Sequence, residues 1–353
     1  MWFGLQFWLG AYRAENSQWY YVTGDTLDYT VWDVNEPSAM DADGTREDYL
    51  LLWYRKSADT WSYNDMRNDP VAVAAKTYNG EGDVTLKLET TDTVEVASRV
   101  DLTNANGKKI TLDLNGGVIK SLTDSLITAT GKLDIKGGKL VSTSGKYKLL
   151  HVGVGGVVNT ENCVFEDHNN YSNNNVHYYV ICAQGTGTSN MGELHLKDGT
   201  KIIKASGWGY CLRVGYSIFT TEGDVEITGH ENPLSGDNYG KGAPLVYAHT
   251  GGKITINDGA SFYSPGLGNA YVINVATGNT NGYITINGGY FYGDQACIKE
   301  SSSGYAKKVL TINGGYFSHD FSSLNFMGGK TLTPCSVTHT HGGKELTYSF
   351  EAK

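Results

Sequence analysis

The chain has 353 residues with 28 Lys and Arg against 37 Asp and Glu, a formal charge of −9. So acidic a balance lacks the clustered cations that hold phosphates and excludes non-specific nucleic-acid binding; 40% hydrophobic content excludes wholesale disorder. Forty-five Gly with only six Pro exclude collagen-like sequence and point to tight turns in a mainly β chain. The first twelve residues, MWFGLQFWLGAY, are apolar but interrupted by Gln6 and too short to span a bilayer. They carry no basic leader or cleavage pattern, and no later stretch predicts membrane insertion. Twenty-four Tyr suit half-wet surfaces and sugar contact, and equally suit strands of a large β protein.

Residues 1–80 are rich in Trp and Tyr and show no repeat. In order they carry FWLGAY (Phe7 to Tyr12), Trp19, GDTLDYTVW (Gly24 to Trp32), NEPS (Asn35 to Ser38), EDY (Glu47 to Tyr49) and WSYNDM (Trp61 to Met66). Glu36, Glu47, Asn64 and Asp65 offer the carboxylate and amide oxygens that a hard cation such as Ca²⁺ takes in sixes to eights. The same acids also fit solvated loop residues, and both readings stand at this stage. These elements resemble the second half of a C-type lectin-like domain. The resemblance implies a small α/β module in which Glu36, Glu47, Asn64 and Asp65 ligate Ca²⁺ and, with Ser38, a sugar. Ser38 stands where that family usually has Asn, Tyr63 replaces a Trp, and Tyr49 and Asn68 replace disulfide cysteines. Trp19, Trp32, Trp53 and Trp61 are expected in the core. The family's first strand and two helices would precede Phe7, so the resemblance also implies a natural protein extending before Met1.

From about residue 81 one unit recurs: an apolar strand, a short ITIN-like strand, glycines and an aromatic. ITINGGYF at Ile284–Phe291, LTINGGYF at Leu310–Phe317 and ITINDGASF from Ile254 are the clearest copies. LDLNGG from Leu112, LDIKGG from Leu133, LHLKDG from Leu194 and VEITGH from Val225 are weaker. The spacing runs from 21 to 31 residues, and a gap of 61 after Leu133 leaves room for a further coil at GGVVNTENCVF. Such a period means a solenoid, and strict alternation means stacked parallel strands, not helix pairs. SLITA, KLLHV, YYVICA, YCLRV, PLVYA, YVINV and ACIKE predict a second strand in each coil. TLTPCSVTHTHGGKELTYSFEAK breaks the period and is expected to close the far end. Residues 81–353 thereby resemble the right-handed parallel β-helix (pectate-lyase-like) repeats of bacterial cell-surface and secreted proteins. The resemblance implies an extracellular or cell-surface location.

Five cysteines without a CxxC or close pairing predict no disulfide framework; Cys182, Cys211 and Cys297 sit in apolar runs and read as core. Two polar loops could carry catalysis: Glu166, Asp167 and His168, and Glu231 with Asp237. His339 and His341 form an HxH pair without a third metal ligand. Two functions follow. The first is a non-catalytic adhesion or binding protein, in which the lectin-like module recognises a glycan or a surface protein, with Ca²⁺, on a β-helical stalk. The second is a polysaccharide lyase or glycoside hydrolase working in the β-helix groove.

Overall fold

A computed structural model describes residues 6–13, 18–21, 25–27, 32, 37, 47–55, 60–67, 83–88, 91, 93–96, 99–102, 108–123, 125–143, 148–168, 179–205, 209–230, 244–266, 270–276, 281–301, 303–324, 326 and 328–353. The chain divides into two compact units, Met1–Asn79 and Gly80–Lys353. Both are built of strands. Among the described residues the only helices are one α-turn, Ala306–Val309, and one 3₁₀ turn, Ser322–Leu324.

The first unit holds a four-stranded antiparallel sheet in the order Trp19–Tyr21, Gln6–Arg13, Glu47–Arg55, Thr60–Arg67. FWLGAY therefore forms a strand, and EDY and WSYNDM lie on two neighbouring strands. Trp19 is buried with Ala11, Leu27 and Leu50, and Trp32 packs on it at a ring separation of 5.2 Å. The Arg13 guanidinium lies 5.3 Å from the Trp19 ring centre.

In the second unit the coils build three parallel columns, where the repeat predicted at least two strands per coil; Lys132–Ser142 and Val157–Asp167 each run unbroken through two of the columns. This pattern is compatible with a β-helix solenoid. The first column is an eight-stranded sheet running from Val100–Leu102 through Ser125–Ala129, Lys148–Val152, Tyr179–Gln184, Tyr210–Gly215, Val246–Ala248 and Tyr271–Val275 to Ala296–Glu300. The second column contains the ITI segments, so Ile254 pairs with Ile284 and Ile284 with Leu310. The third contains the aromatic segments, with Phe262 opposite Phe291 and Phe291 opposite Phe317. The segment Val157–Asp167 fills the gap left by the repeat, pairing with Lys132–Ser142 before it and with Gly192–Leu196 and Thr200–Lys204 after it.

Parallel stacking places the same residue type on itself in successive coils, which turns the repeat into ladders. The rings of Phe262, Phe291 and Phe317 are fully buried and stack at 4.9 and 5.0 Å. The asparagine of the ITIN copies closes a second ladder at the turn between columns. Asn313 donates to Asn287 Oδ1 and Asn287 to Asn257 Oδ1, each at 2.9 Å, and Asn257 donates to the Thr221 carbonyl at 2.8 Å. The glycine after it is dictated by space. Gly289 has φ +100°, and a Cβ there would lie 2.6 Å from the Ala260 carbonyl oxygen.

The last stretch does more than end the coils. Leu332–His341 and Lys344–Ala352 form an antiparallel hairpin around Gly342 and Gly343, both at positive φ as a two-residue hairpin turn requires. The second strand pairs antiparallel with Tyr316–Phe317 and terminates that column. The hairpin then folds back over the outer, tyrosine-lined surface of the third column. Tyr348 is fully buried there and, with Leu346, packs among Tyr263, Tyr290, Tyr292 and Tyr316. His339 stacks on Tyr290 at 3.8 Å. The segment expected to close the far end pairs with the last strand of the column and also reaches back across several coils.

Candidate functional site

The residues proposed for Ca²⁺ and sugar fall in the first unit. Glu36 and Ser38 lie outside the described residues. Glu47 opens the strand Glu47–Arg55 opposite Arg67, while Asn64 stands opposite Leu51 and Asp65 opposite Leu50 on the adjacent strand. The backbone thus brings Glu47, Asn64 and Asp65 onto two neighbouring antiparallel strands; the positions of their side chains lie outside what is described. Among the described residues no group of three or more His, Cys, Asp or Glu side chains stands ready for a metal ion.

Of the solenoid acids offered for catalysis, Glu231 and Asp237 lie outside the described residues. Glu166 is held by Lys139 and His168, which keep its carboxyl below the usual range against the opposing effect of burial. Asp167 points into the solenoid and is ion-paired with Lys204, its register partner one coil later; both side chains are almost fully buried. A carboxylate with an ammonium bonded to it inside a packed core is a structural tie. It does not have the freedom an acid or base catalyst needs.

The HxH pair is also spent on packing. His341 is buried, its Nε2 2.8 Å from Thr228 Oγ1 and its Nδ1 2.8 Å from Ser261 Oγ. Burial is the main cause of its depressed proton affinity, which falls to about pKa 4 despite nearby Glu226; Lys201 and His339 push the same way as burial. The folded state therefore refuses a proton that the unfolded chain takes near pH 6.5. Stability from this group is complete above that pH and is lost as pH falls toward 4, on the order of 3 kcal/mol. Urea unfolding at pH 7, 6 and 5 should show this fall, and His341→Gln should make the slope shallower. An unchanged slope would refute this role of His341.

Cys163, Cys182, Cys211 and Cys297 are buried thiols and Cys335 is partly exposed. Burial raises Cys163 and Cys211 to about 12, so neither is a nucleophile at neutral pH.

The outward surface of the eight-stranded sheet is different in kind. Register places Thr128, His151, Cys182, Arg213, Tyr247, Asn274 and Lys299 in one row, one residue per coil. Beside it Tyr179 stacks on Tyr210 at 5.6 Å and Tyr210 on Tyr247 at 4.8 Å. The ring faces cover one another. Tyr179 and Tyr210 are nearly buried, and burial raises both phenols, Tyr210 to about 12. Arg213 leans back one coil: its guanidinium sits 5.4 Å from the Tyr179 ring centre, and Nη1 donates to the Tyr179 hydroxyl at 3.3 Å. Lys299 lies 4.5 Å from the centre of the Tyr271 ring.

This surface leaves polar groups unmatched. His151 Nδ1, Gln184 Oε1 and Arg213 Nε have no hydrogen-bond partner among the described residues. Burial first, then Lys148, Arg99 and Arg213, lowers His151 to about 4, so it is a neutral imidazole at pH 7. Among the described residues no carboxylate offsets those cations at His151. The one acid in the row, Asp101, is bonded twice to Arg99. Sequence reading missed this row because its members are separated by loops of unequal length. The usable signal was the polar or small residue interrupting the apolar runs KLLHV, VICAQ, CLRVG and LVYAH. Comparisons of the chain with family models, with curated proteins and with solved structures gave no match.

Proposed function

We propose that this chain is a non-catalytic glycan-binding protein of the cell surface or extracellular space, whose coils form a right-handed parallel β-helix. The observation that carries the reading is the outward row of the eight-stranded sheet. It combines Tyr, Arg, Lys, Asn and Gln side chains in a strip with one acid, itself bonded to Arg99. A sugar presents hydroxyls at intervals comparable to a strand repeat of about 4.8 Å, so a ladder of donors and acceptors suits an oligosaccharide. Catalytic use of the solenoid is less well supported, because the described acids offered for it are tied to Lys139, His168 and Lys204.

The first unit enters the proposal as a C-type lectin-like module with Glu36, Ser38, Glu47, Asn64 and Asp65 as Ca²⁺ and sugar ligands. Supporting it is the placement of Glu47, Asn64 and Asp65 on adjacent strands. A glycan array with and without chelator tests both parts. Binding is expected, with a chelator-sensitive fraction that Glu36→Ala removes and a chelator-resistant fraction on the solenoid. A blank array overturns the glycan reading. Binding indifferent to both chelator and Glu36→Ala overturns the Ca²⁺ part.

A further inference from the structure

The strongest feature outside the metal proposal is a cation with too few partners. Arg213 is half-buried on a strand, and its described contacts are a phenol oxygen and the face of the same tyrosine. A guanidinium offers five donors in a planar fork that fits a carboxylate or sulfate in two parallel bonds. Lying over Tyr179 fixes the plane of that fork and lowers the entropy lost on binding. Lys148, on the strand next to that of Tyr179, adds a second positive charge. The register that pairs Leu150 with Ile181 sets Lys148 level with Tyr179, the residue that Arg213 contacts, so the two cationic groups lie at neighbouring coils of one surface. Cys182, buried with Tyr179 and Tyr210, stands between His151 and Arg213, which are two coils or about 9.6 Å apart along the row.

Two cations set close together without a carboxylate are out of keeping with a chain of net charge −9. Elsewhere on the solenoid several described cations are neutralised across the coils. Lys109 meets Asp134, Lys120 meets Glu95, Lys136 meets Asp113 and Lys201 meets Glu226. Arg213 stands apart from that pattern, in a position where a neutral ligand would gain least.

We propose that Arg213 and Lys148 bind the carboxylate or sulfate group of an acidic glycan, without a metal ion. This inference rests on the glycan-binding reading and specifies its ligand class.

The test is calorimetric titration of the full chain with a uronic-acid oligosaccharide, a sulfated oligosaccharide, a neutral oligosaccharide of equal length and inorganic sulfate. All titrations contain chelator and are run at low and high salt. At least one acidic oligosaccharide should bind about tenfold to a hundredfold tighter than the neutral one, and the preference should shrink at high salt. Arg213→Gln should abolish the preference, and Arg213→Lys should keep part of it because charge survives while the fork is lost. Lys148→Gln, at a partly exposed strand start, should weaken it without disturbing the fold, as circular dichroism would show. Equal binding of acidic and neutral sugars, or a preference surviving both Arg213→Gln and Lys148→Gln, overturns the inference and leaves glycan binding standing. Inorganic sulfate binding as tightly as the oligosaccharides makes this an ion site and overturns it too. Failure of every titrant to bind overturns both this inference and solenoid glycan binding.

Discussion

Phe291→Ala is expected to cost about 3–5 kcal/mol and to split the unfolding transition of the solenoid. The ring is fully buried between Phe262 and Phe317, in contact with both at about 5 Å. Truncation removes the middle of a stack that cannot close, because the backbone on either side is fixed by ladder pairing to Tyr263 and Tyr316. A solenoid is held chiefly by contacts between neighbouring coils, so weakening one junction uncouples what lies beyond it. Urea unfolding followed by far-UV circular dichroism should therefore show an early phase from the coils after Gly293, followed by the remainder. Tyr283→Ala, at an exposed site on the neighbouring column, should shift the midpoint by no more than about 0.5 kcal/mol. A single transition with equal shifts for both variants would contradict the stacked-core picture.

The second large effect belongs to the buried ion pair. Lys204→Met takes the ammonium from Asp167 inside the solenoid and should destabilise it by about 3–5 kcal/mol. Asp167→Leu combined with Lys204→Met should recover most of that loss, since two apolar side chains of similar volume need no desolvation of charge. The sign of recovery is the informative quantity, and a double-mutant cycle in urea isolates it. Additive losses in the double variant would mean that Asp167 and Lys204 act independently and would contradict a coupled buried pair.

These two sites also mark how far the amino-acid sequence could be read. The coil repeat was legible because ITINGGYF states three physical requirements at once: an alternating strand, an amide for the Asn257–Asn287–Asn313 ladder, and a glycine where Gly289 meets Ala260. The segments SLITA to ACIKE predicted one sheet, and they form it in chain order. Asp167 and Lys204 were not recognised as partners, because their pairing depends on the length of the intervening loop as well as on strand pattern. The reach of the hairpin back over earlier coils was not legible for a similar reason. His341 reaches Thr228 and Ser261 across 113 and 80 residues, distances over which alternation carries no information. The row from His151 to Lys299 needed the register of every coil before its chemistry could be seen. For the first unit, strand positions for Glu47, Asn64 and Asp65 agree with the order of motifs, while Glu36 and Ser38 fall outside the described residues.

Hydrogen–deuterium exchange of the intact chain, with and without a saturating acidic oligosaccharide in chelator, addresses the location of the ligand. Occupation of the Arg213 surface predicts slowed exchange in Lys148–Val152, Tyr179–Gln184, Tyr210–Gly215 and Val246–Ala248, four adjacent strands of one sheet. Protection confined to residues 1–79, or spread evenly over all three columns, would contradict a binding surface on the solenoid.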